Sequence, residues 1–165
     1  MLRWLWLSSA VLGLDQLTKW VVGRSMHVYQ SIELLPFFNL TYLRNQGAAF
    51  SFLSDAGGWQ RWFFIALSVG ASAAIGYWLS RLRSDQQWEA VAWALVLGGA
   101  IGNLIDRLLF GYVIDFLDVF YGDWHWPAFN VADSAITIGI VMLLLDSFRA
   151  RPLTPDDARS SSGSK

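Results

Sequence analysis

The chain has 165 residues, of which 55% are hydrophobic and 15% charged, and its formal net charge is −1 at pH 7. A soluble domain of this size and composition would expose unusually much apolar surface. The net charge does not indicate a class of partner, and the sequence shows no basic face for nucleic acid. The absence of cysteine excludes a disulfide framework, a thiolate metal site and a cysteine nucleophile. Four long apolar stretches predict a polytopic α-helical membrane protein with four transmembrane helices.

The first predicted helix covers residues 4–22 and contains the polar residues Asp15 and Lys19. Because they are four residues apart, they share one helix face. Two interpretations of this pair remain open: a simple ion pair, and a role in shaping a functional site. Polar residues interrupt this stretch and no small-residue cleavage site follows it, which argues against a cleaved signal peptide. We therefore predict a retained helix.

Strand-like sequence follows the first helix and again follows the third. Residues 38–43 alternate polar and apolar side chains, and residues 112–121 are rich in β-branched and aromatic residues. Both segments lie on the same side of the predicted helices. We therefore predict a small β-sheet cradle at the outer leaflet, in the interface, where its edges stay covered or hydrated.

The second predicted helix covers residues 60–80 and has an uncharged centre. Small residues four apart let helices approach closely. Gly70 and Ala74 have this spacing here, and Gly98 and Gly102 have it in the next helix. Both pairs predict helix-packing contacts.

The third predicted helix covers residues 88–110 and ends in a polar cluster. Asn103, Asp106 and Arg107 lie on one face of it. A structural clasp on a neighbouring helix and a place in a functional site are both open for this cluster.

The fourth predicted helix covers residues 131–149 and starts after Asn130, a candidate N-cap. Asp133 follows three residues later, where the helix dipole favours a negative charge. Capping and catalysis are therefore both open for Asp133. The polar segment 151–165 predicts a disordered cytoplasmic tail, which leaves residues 1–150 as a single membrane-embedded domain.

The distribution of Lys and Arg orients the predicted helices. One set of helix ends, together with the tail, holds most of these residues: Arg3, Arg81, Arg83, Arg149, Arg151, Arg159 and Lys165. The positive-inside rule places both termini in the cytoplasm. The polar side chains of the helices then fall in one layer near the outer surface. Intramembrane ionisable residues at a shared depth are candidates for function.

Asp115 is the polar residue that is hardest to explain by structure alone. It lies within the apolar run YVIDFL at 112–117, where no cap or sequential basic partner accounts for it. We interpret other polar residues of the outer segments as solvated or isolated loop residues: Asp118, Asp123, His27 and His125.

Among the hydrolase mechanisms considered, the sequence best supports one that uses a pair of aspartates. The sequence contains no His-Glu-x-x-His zinc motif and no Gly-x-Ser-x-Gly elbow. Asp115 and Asp133, if adjacent, would share a proton, so that the ionised one activates a water and the protonated one polarises a carbonyl. An ion-coupled carrier or proton channel and a structural scaffold are the alternatives. Clustering at one surface and the lack of inverted repeats argue against a carrier.

Five motifs, in order over about residues 4–148, resemble those of bacterial lipoprotein signal peptidase (signal peptidase II). They are DQLTK at 15–19, NQGAAFS at 45–51, GGAIGNLIDR at 98–107, VIDFLD at 113–118 and FNVADSAI at 129–136. The resemblance implies an aspartic endopeptidase that cleaves diacylglyceryl-modified prolipoproteins just before the lipidated cysteine. It also implies a bacterial inner membrane location, with the active site near the periplasmic face.

The resemblance implies that Asp115 and Asp133 are the catalytic pair. It implies substrate-binding or supporting roles for five further residues: Asp15, Asn45, Asn103, Arg107 and Asn130. The implied partners are the lipid-modified prolipoprotein, membrane lipids and globomycin-type inhibitors. We expect a monomer with no metal, no cofactor and no nucleic-acid partner.

Overall fold

A computed structural model of the chain describes residues 1–47 and 58–148. Its four α-helices are α1 (Leu5–Ser25), α2 (Trp59–Arg81), α3 (Gln87–Leu109) and α4 (Val131–Ser147), and a short 3₁₀ turn (Leu2–Trp4) precedes α1. These helices overlap the predicted ranges, with ends that differ by a few residues. The predicted end of the fourth helix at residue 149 and the tail at 151–165 lie outside the described residues.

The helix α3 lies at the centre of the bundle and packs against α1, α2 and α4. Glycines on α3 permit this close approach. A Cβ on Gly98 would lie 2.7 Å from the carbonyl oxygen of Ser8, and one on Gly102 would lie 2.6 Å from a carboxylate oxygen of Asp15. The predicted packing contact at Gly98 and Gly102 is confirmed.

The corresponding prediction for Gly70 and Ala74 on α2 is wrong. Both residues are exposed, and a Cβ on Gly70 would meet no described atom within 4 Å. The helix α2 packs mainly against α3, through its other faces, which leaves this pair facing outward. Small-residue spacing therefore marks a helix contact on α3 but not on α2.

Apolar side chains cover the outside of the bundle, whereas charged side chains lie inside it. Large exposed apolar residues of α1 and α4 include Trp6, Leu14, Leu17, Trp20, Ile138, Val141 and Leu144. Asp15, Lys19 and Asp106 are at most 2% exposed. This is the reverse of a water-soluble fold and is expected for helices in lipid. Both α2 and α3 are long and apolar enough to cross a membrane.

A four-stranded antiparallel sheet lies at one end of the bundle. Its strands are β1 (Ser31–Leu35), β2 (Phe38–Asn45), β3 (Val113–Tyr121) and β4 (Trp124–His125), paired in that order. The predicted small sheet is confirmed, with β2 and β3 at the predicted segments. The strands β1 and β4 were not predicted.

One face of the sheet packs on the end of α1. Val22 and Met26 of α1 form a buried apolar cluster with Tyr42 of β2 and with Ile114 and Phe116 of β3. This contact fixes β3 relative to the bundle. The polar side chains of Asp115 and Asp118 in β3 are not part of this cluster and line a cavity beside the sheet.

A β-bulge in β3 follows Asp115 directly. The successive amides of Phe116 and Leu117 both donate to the carbonyl oxygen of Phe129, at 3.0 and 2.8 Å. Two residues of one strand thus oppose one residue of its neighbour, which offsets the usual alternation of side chains. Asp115 and Asp118, although three residues apart, therefore line the same cavity.

Gly139 of α4 provides a test of this helix packing. A Cβ there would lie 2.6 Å from the carbonyl oxygen of Ala92 and from Cγ2 of Val96 on α3. We expect Gly139→Ala to push α4 away from α3 and to destabilise the fold by about 1–3 kcal/mol, measured as a lower Tm in detergent.

The matched control is Gly70→Ala, the same substitution at the outward-facing position. We expect its Tm to stay the same or to rise, because alanine favours helix more than glycine does. An equal fall in Tm for both variants would contradict the close α3–α4 contact.

Candidate active site

A buried ion cluster lies beneath the sheet, centred on the ammonium group of Lys19. Its Nζ is 2.8 Å from Oδ2 of Asp15 and 2.9 Å from Oδ2 of Asp106, and it donates a hydrogen bond to Oδ1 of Asn103 at 2.9 Å. The Asp15–Lys19 ion pair, one of the two interpretations that the sequence left open, is present. The sequence did not reveal that Asp106 is the second anion.

The same cluster fixes the elements around it. Asp15 accepts a hydrogen bond from the backbone amide of Ala132 in the first turn of α4, at 2.9 Å. Asp106 accepts one from the backbone amide of Ile114 in β3, at 3.1 Å, and another from the side chain of Gln16, at 2.9 Å. Helices α1, α3 and α4 and strand β3 therefore meet at one set of charges.

Asp133 occupies the first turn of α4 as part of a capping box. Oδ1 of Asn130 accepts from the amide of Asp133 at 2.9 Å, and the amide of Asn130 donates to Oδ2 of Asp133 at 3.3 Å. Asn103 donates from Nδ2 to Oδ1 of Asp133 at 2.7 Å. The predicted N-cap is confirmed, and the carboxylate of Asp133 is also held from α3.

Lys19 fixes the orientation of the Asn103 amide. The carbonyl oxygen of that amide accepts from Nζ of Lys19, so its NH₂ group must point the other way, toward Asp133. The ammonium group of Lys19 is therefore linked to the carboxylate of Asp133 by two hydrogen bonds through the side chain of Asn103.

Asp115 lies on β3 and is only 3% exposed. Nδ2 of Asn130 donates to its Oδ1 at 2.7 Å, and Nδ2 of Asn45 donates to its Oδ2 at 2.9 Å. Asn130 thus contacts both Asp115 and Asp133. Burial raises the pKa of Asp115 to about 7, and the nearby charge of Asp133 adds to this effect.

Both carboxylates open into one cavity of about 550 Å³, hereafter the helix cavity. Five of the residues singled out from the sequence line it: Asn45, Asn103, Arg107, Asp115 and Asp133. Asp15 and Asn130 are fully buried and are not among its lining residues. Apolar side chains of α4, including Ile136 and Ile138, line the cavity beyond the carboxylates.

Arg107 lines the helix cavity. Its terminal nitrogens donate to the carbonyl oxygens of Asn103, at 3.3 Å, and Gly47, at 3.2 Å. Its buried Nε has no hydrogen-bond partner in the described part of the chain. Because buried donors are normally satisfied, this Nε is an exception among the described residues.

Two predictions about the outer segments are wrong. Asp118 is only 7% exposed, and it accepts from Nδ2 of Asn39 at 3.1 Å and from Nδ1 of His125 at 2.9 and 3.0 Å. His125 is therefore not an isolated histidine. Asp123 and His27 are exposed, as predicted.

The structure offers no evident metal centre in the ranges it describes. Within residues 1–47 and 58–148, no group of three or more His, Cys, Asp or Glu side chains is arranged to hold a metal ion.

A family model described as signal peptidase (SPase) II matches residues 7–149. The chain belongs to the signal peptidase II family. A lipoprotein signal peptidase of Alteromonas mediterranea is 55% identical over 148 residues, which cover 90% of this chain and 81% of that protein. One of Vibrio cholerae serotype O1 is 48% identical over 159 residues, covering 95% of this chain and 93% of that protein.

The fold also matches a solved structure described as a bacterial membrane enzyme studied by the in meso method at 2.3 Å resolution. The TM-score is 0.80 at 30% identity, and the match covers 92% of this chain and 94% of that one. Family membership and the apolar helices together make this member of the signal peptidase II family a membrane-bound peptidase.

Lys19→Met tests how far the site depends on the buried cation. The substitution keeps a long apolar side chain but leaves Asp15 and Asp106 buried without a countercharge. We expect a loss of about 3–5 kcal/mol in the free energy of unfolding, seen as a large fall in Tm in detergent.

The matched control is Asp85→Asn, which breaks the exposed Arg83–Asp85 pair, whose side chains are 77% and 68% exposed. Exposed pairs contribute little, so its Tm should not change measurably. If Lys19→Met melted like the control, the buried cluster would not be holding the helices together.

Proposed function

We propose that this protein is an aspartic endopeptidase that uses Asp115 and Asp133 to cleave diacylglyceryl-modified prolipoproteins just before the lipidated cysteine. Removal of the signal peptide from prolipoproteins is supported by the family and by relatives of about half-identical sequence that are called lipoprotein signal peptidases. The mechanism rests on one observation above all. Asp115 and Asp133 line the same cavity, and Asn130 is hydrogen-bonded to both.

The proposed chemistry divides two roles between the two carboxyl groups. Asp133 accepts hydrogen bonds on both oxygens, from Asn103 and from the backbone of Asn130, which suits the ionised form. Asp115, with a pKa of about 7, carries a proton on a large fraction of molecules at neutral pH. Asp133 is then the general base that takes a proton from the attacking water. Asp115 donates its proton to the scissile carbonyl oxygen as the water oxygen bonds to the carbonyl carbon. In the second step the ionised Asp115 takes a proton back from the tetrahedral intermediate, Asp133 donates the proton it took from water to the leaving nitrogen, and the C–N bond breaks.

Neighbouring side chains have supporting roles in this proposal. Asn45 and Asn130 hold the carboxyl group of Asp115, and Asn103 holds that of Asp133. Arg107 lines the same cavity and is placed to bind a substrate carbonyl beside the scissile bond. Asp15 acts more remotely, by fixing the first turn of α4.

The proposal places all four helices across the bacterial inner membrane, with both termini in the cytoplasm and the active site near the periplasmic face. Asp115 and Asp133 lie at one end of the bundle, between the end of α3 and the start of α4. By sequence, the opposite helix ends and the C-terminal segment contain more Lys and Arg (Arg3, Arg81, Arg83, Arg149, Arg151, Arg159 and Lys165) than the active-site end, which contains Arg24, Arg44 and Arg61. This asymmetry supports the orientation.

The proposed substrate is a lipid-modified prolipoprotein, whose apolar signal peptide lies along the apolar part of the helix cavity beside α4. The acyl chains can remain in the bilayer, where each buried methylene contributes about 0.8 kcal/mol, so the enzyme need not enclose them.

Both carboxyl groups come from one chain, which supports action as a monomer. The cavity volume suits globomycin-type inhibitors, which would compete with the signal peptide.

Asp115→Asn and Asp133→Asn test the catalytic pair. Each should lower kcat for a lipidated prolipoprotein peptide by at least about 1000-fold, because neither amide can exchange the proton that its role requires. Asp123→Asn, at an exposed position in the β3–β4 turn, is the control and should keep full activity. A Tm near that of the unmodified protein would show that the variants fold. Substantial turnover by either of the first two would exclude this pair.

The pH dependence tests the role of Asp115. Since its raised pKa of about 7 belongs to a group that must be protonated, kcat/KM should decline as the pH rises through that value. A second decline at acid pH is expected, where Asp133 becomes protonated and no longer acts as a base. The apparent constants will describe the coupled pair. Melting curves at each pH serve as the control for unfolding. A profile that stays flat to about pH 9 would exclude a proton donor with this pKa.

A further inference from the structure

A second cavity, of about 670 Å³, lies beside the sheet and is hereafter called the sheet cavity. Asn45 and Asp115 line both this cavity and the helix cavity, and residues 126–128 contribute to both. Asp118 and His125 line only the sheet cavity. The two cavities therefore meet at Asp115. A substrate peptide whose scissile bond lies at Asp115 can extend into one cavity on one side of the bond and into the other cavity on the other side.

The two cavities differ in chemistry. Beyond the carboxylates, Ile136 and Ile138 of α4 give the helix cavity an apolar wall. The sheet cavity instead presents the hydrogen-bonded pair of Asp118 and His125. On the proposed function, the apolar signal peptide occupies the helix cavity. The polar segment that follows the lipidated cysteine then extends into the sheet cavity.

His125 is held in a fixed orientation with one ring edge exposed. Its Nδ1–H donates to both oxygens of Asp118, and its ring stacks on Phe120 with centroids 5.1 Å apart and an interplanar angle of 18°. The side chain remains 51% exposed. With the proton fixed on Nδ1, the neutral ring presents Nε2 as a hydrogen-bond acceptor.

The β-bulge explains how this pair comes to lie beside Asp115. In a regular strand, side chains alternate between the two faces, so Asp118 would lie on the face opposite to Asp115. The bulge, in which Phe116 and Leu117 together oppose Phe129, removes this difference. With the bulge, Asp118 and Asp115 line the same cavity. A buried carboxylate that orients a half-exposed imidazole is an arrangement by which proteins position a histidine for a ligand.

We propose that His125 is a positioning residue that binds the peptide backbone of the substrate just beyond the lipidated cysteine. Nε2 of His125 accepts a hydrogen bond from a backbone N–H of that segment, and Asp118 holds the ring in place. The ligand is thus an extended polar peptide, recognised through its main chain. This inference rests on the proposed function, because it takes cleavage to occur at Asp115.

The test compares two synthetic lipidated substrates. The long one carries several residues after the lipidated cysteine, and the short one ends at that cysteine as an amide. We expect His125→Ala to raise KM for the long substrate about threefold to tenfold, the effect of one lost hydrogen bond, and to leave KM for the short one unchanged. His27→Ala, at the other histidine of the chain, is the matched control and should change neither KM.

Two conservative variants separate substrate binding from structural support. His125→Asn places an amide near the position of Nδ1 and can still donate to Asp118, but it does not reach the position of Nε2. It should therefore behave like His125→Ala on the long substrate. His125→Gln places a carbonyl oxygen near the position of Nε2 and should recover part of the affinity.

An equal rise in KM for both substrates, or full recovery in His125→Asn, would overturn this inference, because the pair would then serve only to hold β3 and β4 together. The proposed function would survive that result as long as Asp115→Asn and Asp133→Asn remain inactive. Active variants at those two positions would instead reject the catalytic pair, whatever the behaviour of His125.

Discussion

The interaction on which the rest of the structure depends is the ion cluster around Lys19. One ammonium group, removed from solvent, balances Asp15 and Asp106 and orients Asn103. The two carboxylates in turn hold backbone amides of α4 and β3. Isolated buried charges are very costly in an apolar medium, so this cluster must stay complete and its helices must stay together. The elements that carry Asp115 and Asp133 are fixed by that requirement.

In the candidate active site, asparagines and not further charges connect the two carboxyl groups to this cluster. Asn103 accepts a hydrogen bond from Lys19 and donates one to Asp133, and Asn130 is hydrogen-bonded to both carboxyl groups. An amide can donate and accept at once, so it links groups without adding charge to a region that already holds several. The result leaves Asp115 buried enough for its pKa to reach about 7. A peptidase that must hold one carboxyl group protonated at neutral pH gains from such surroundings.

The sequence predicted those features that depend on local pattern. Apolar stretches predicted the helices, alternation predicted β2, and β-branched and aromatic content predicted β3. The spacing of Asn130 and Asp133 predicted the N-cap. Neighbours in sequence determine each of these features. The partnership of Lys19 with Asp106 depends on how two helices cross, which no local pattern encodes. The burial of Asp118 was missed because a bulge, invisible in the residue pattern, shifts the register of β3. Outward-facing Gly70 shows the same limit, since spacing alone does not reveal which helix face meets a neighbour.

The capping box at the start of α4 has a consequence for the reaction cycle. The carboxyl group of Asp133 both closes a helix end and, on the proposed mechanism, gains and loses a proton in every turnover. One half of the box, from the amide of Asp133 to Oδ1 of Asn130, involves no group that titrates. That half keeps the helix end anchored while the other half weakens on protonation. On the proposed mechanism, a proton can therefore move at the start of α4 without unwinding the helix.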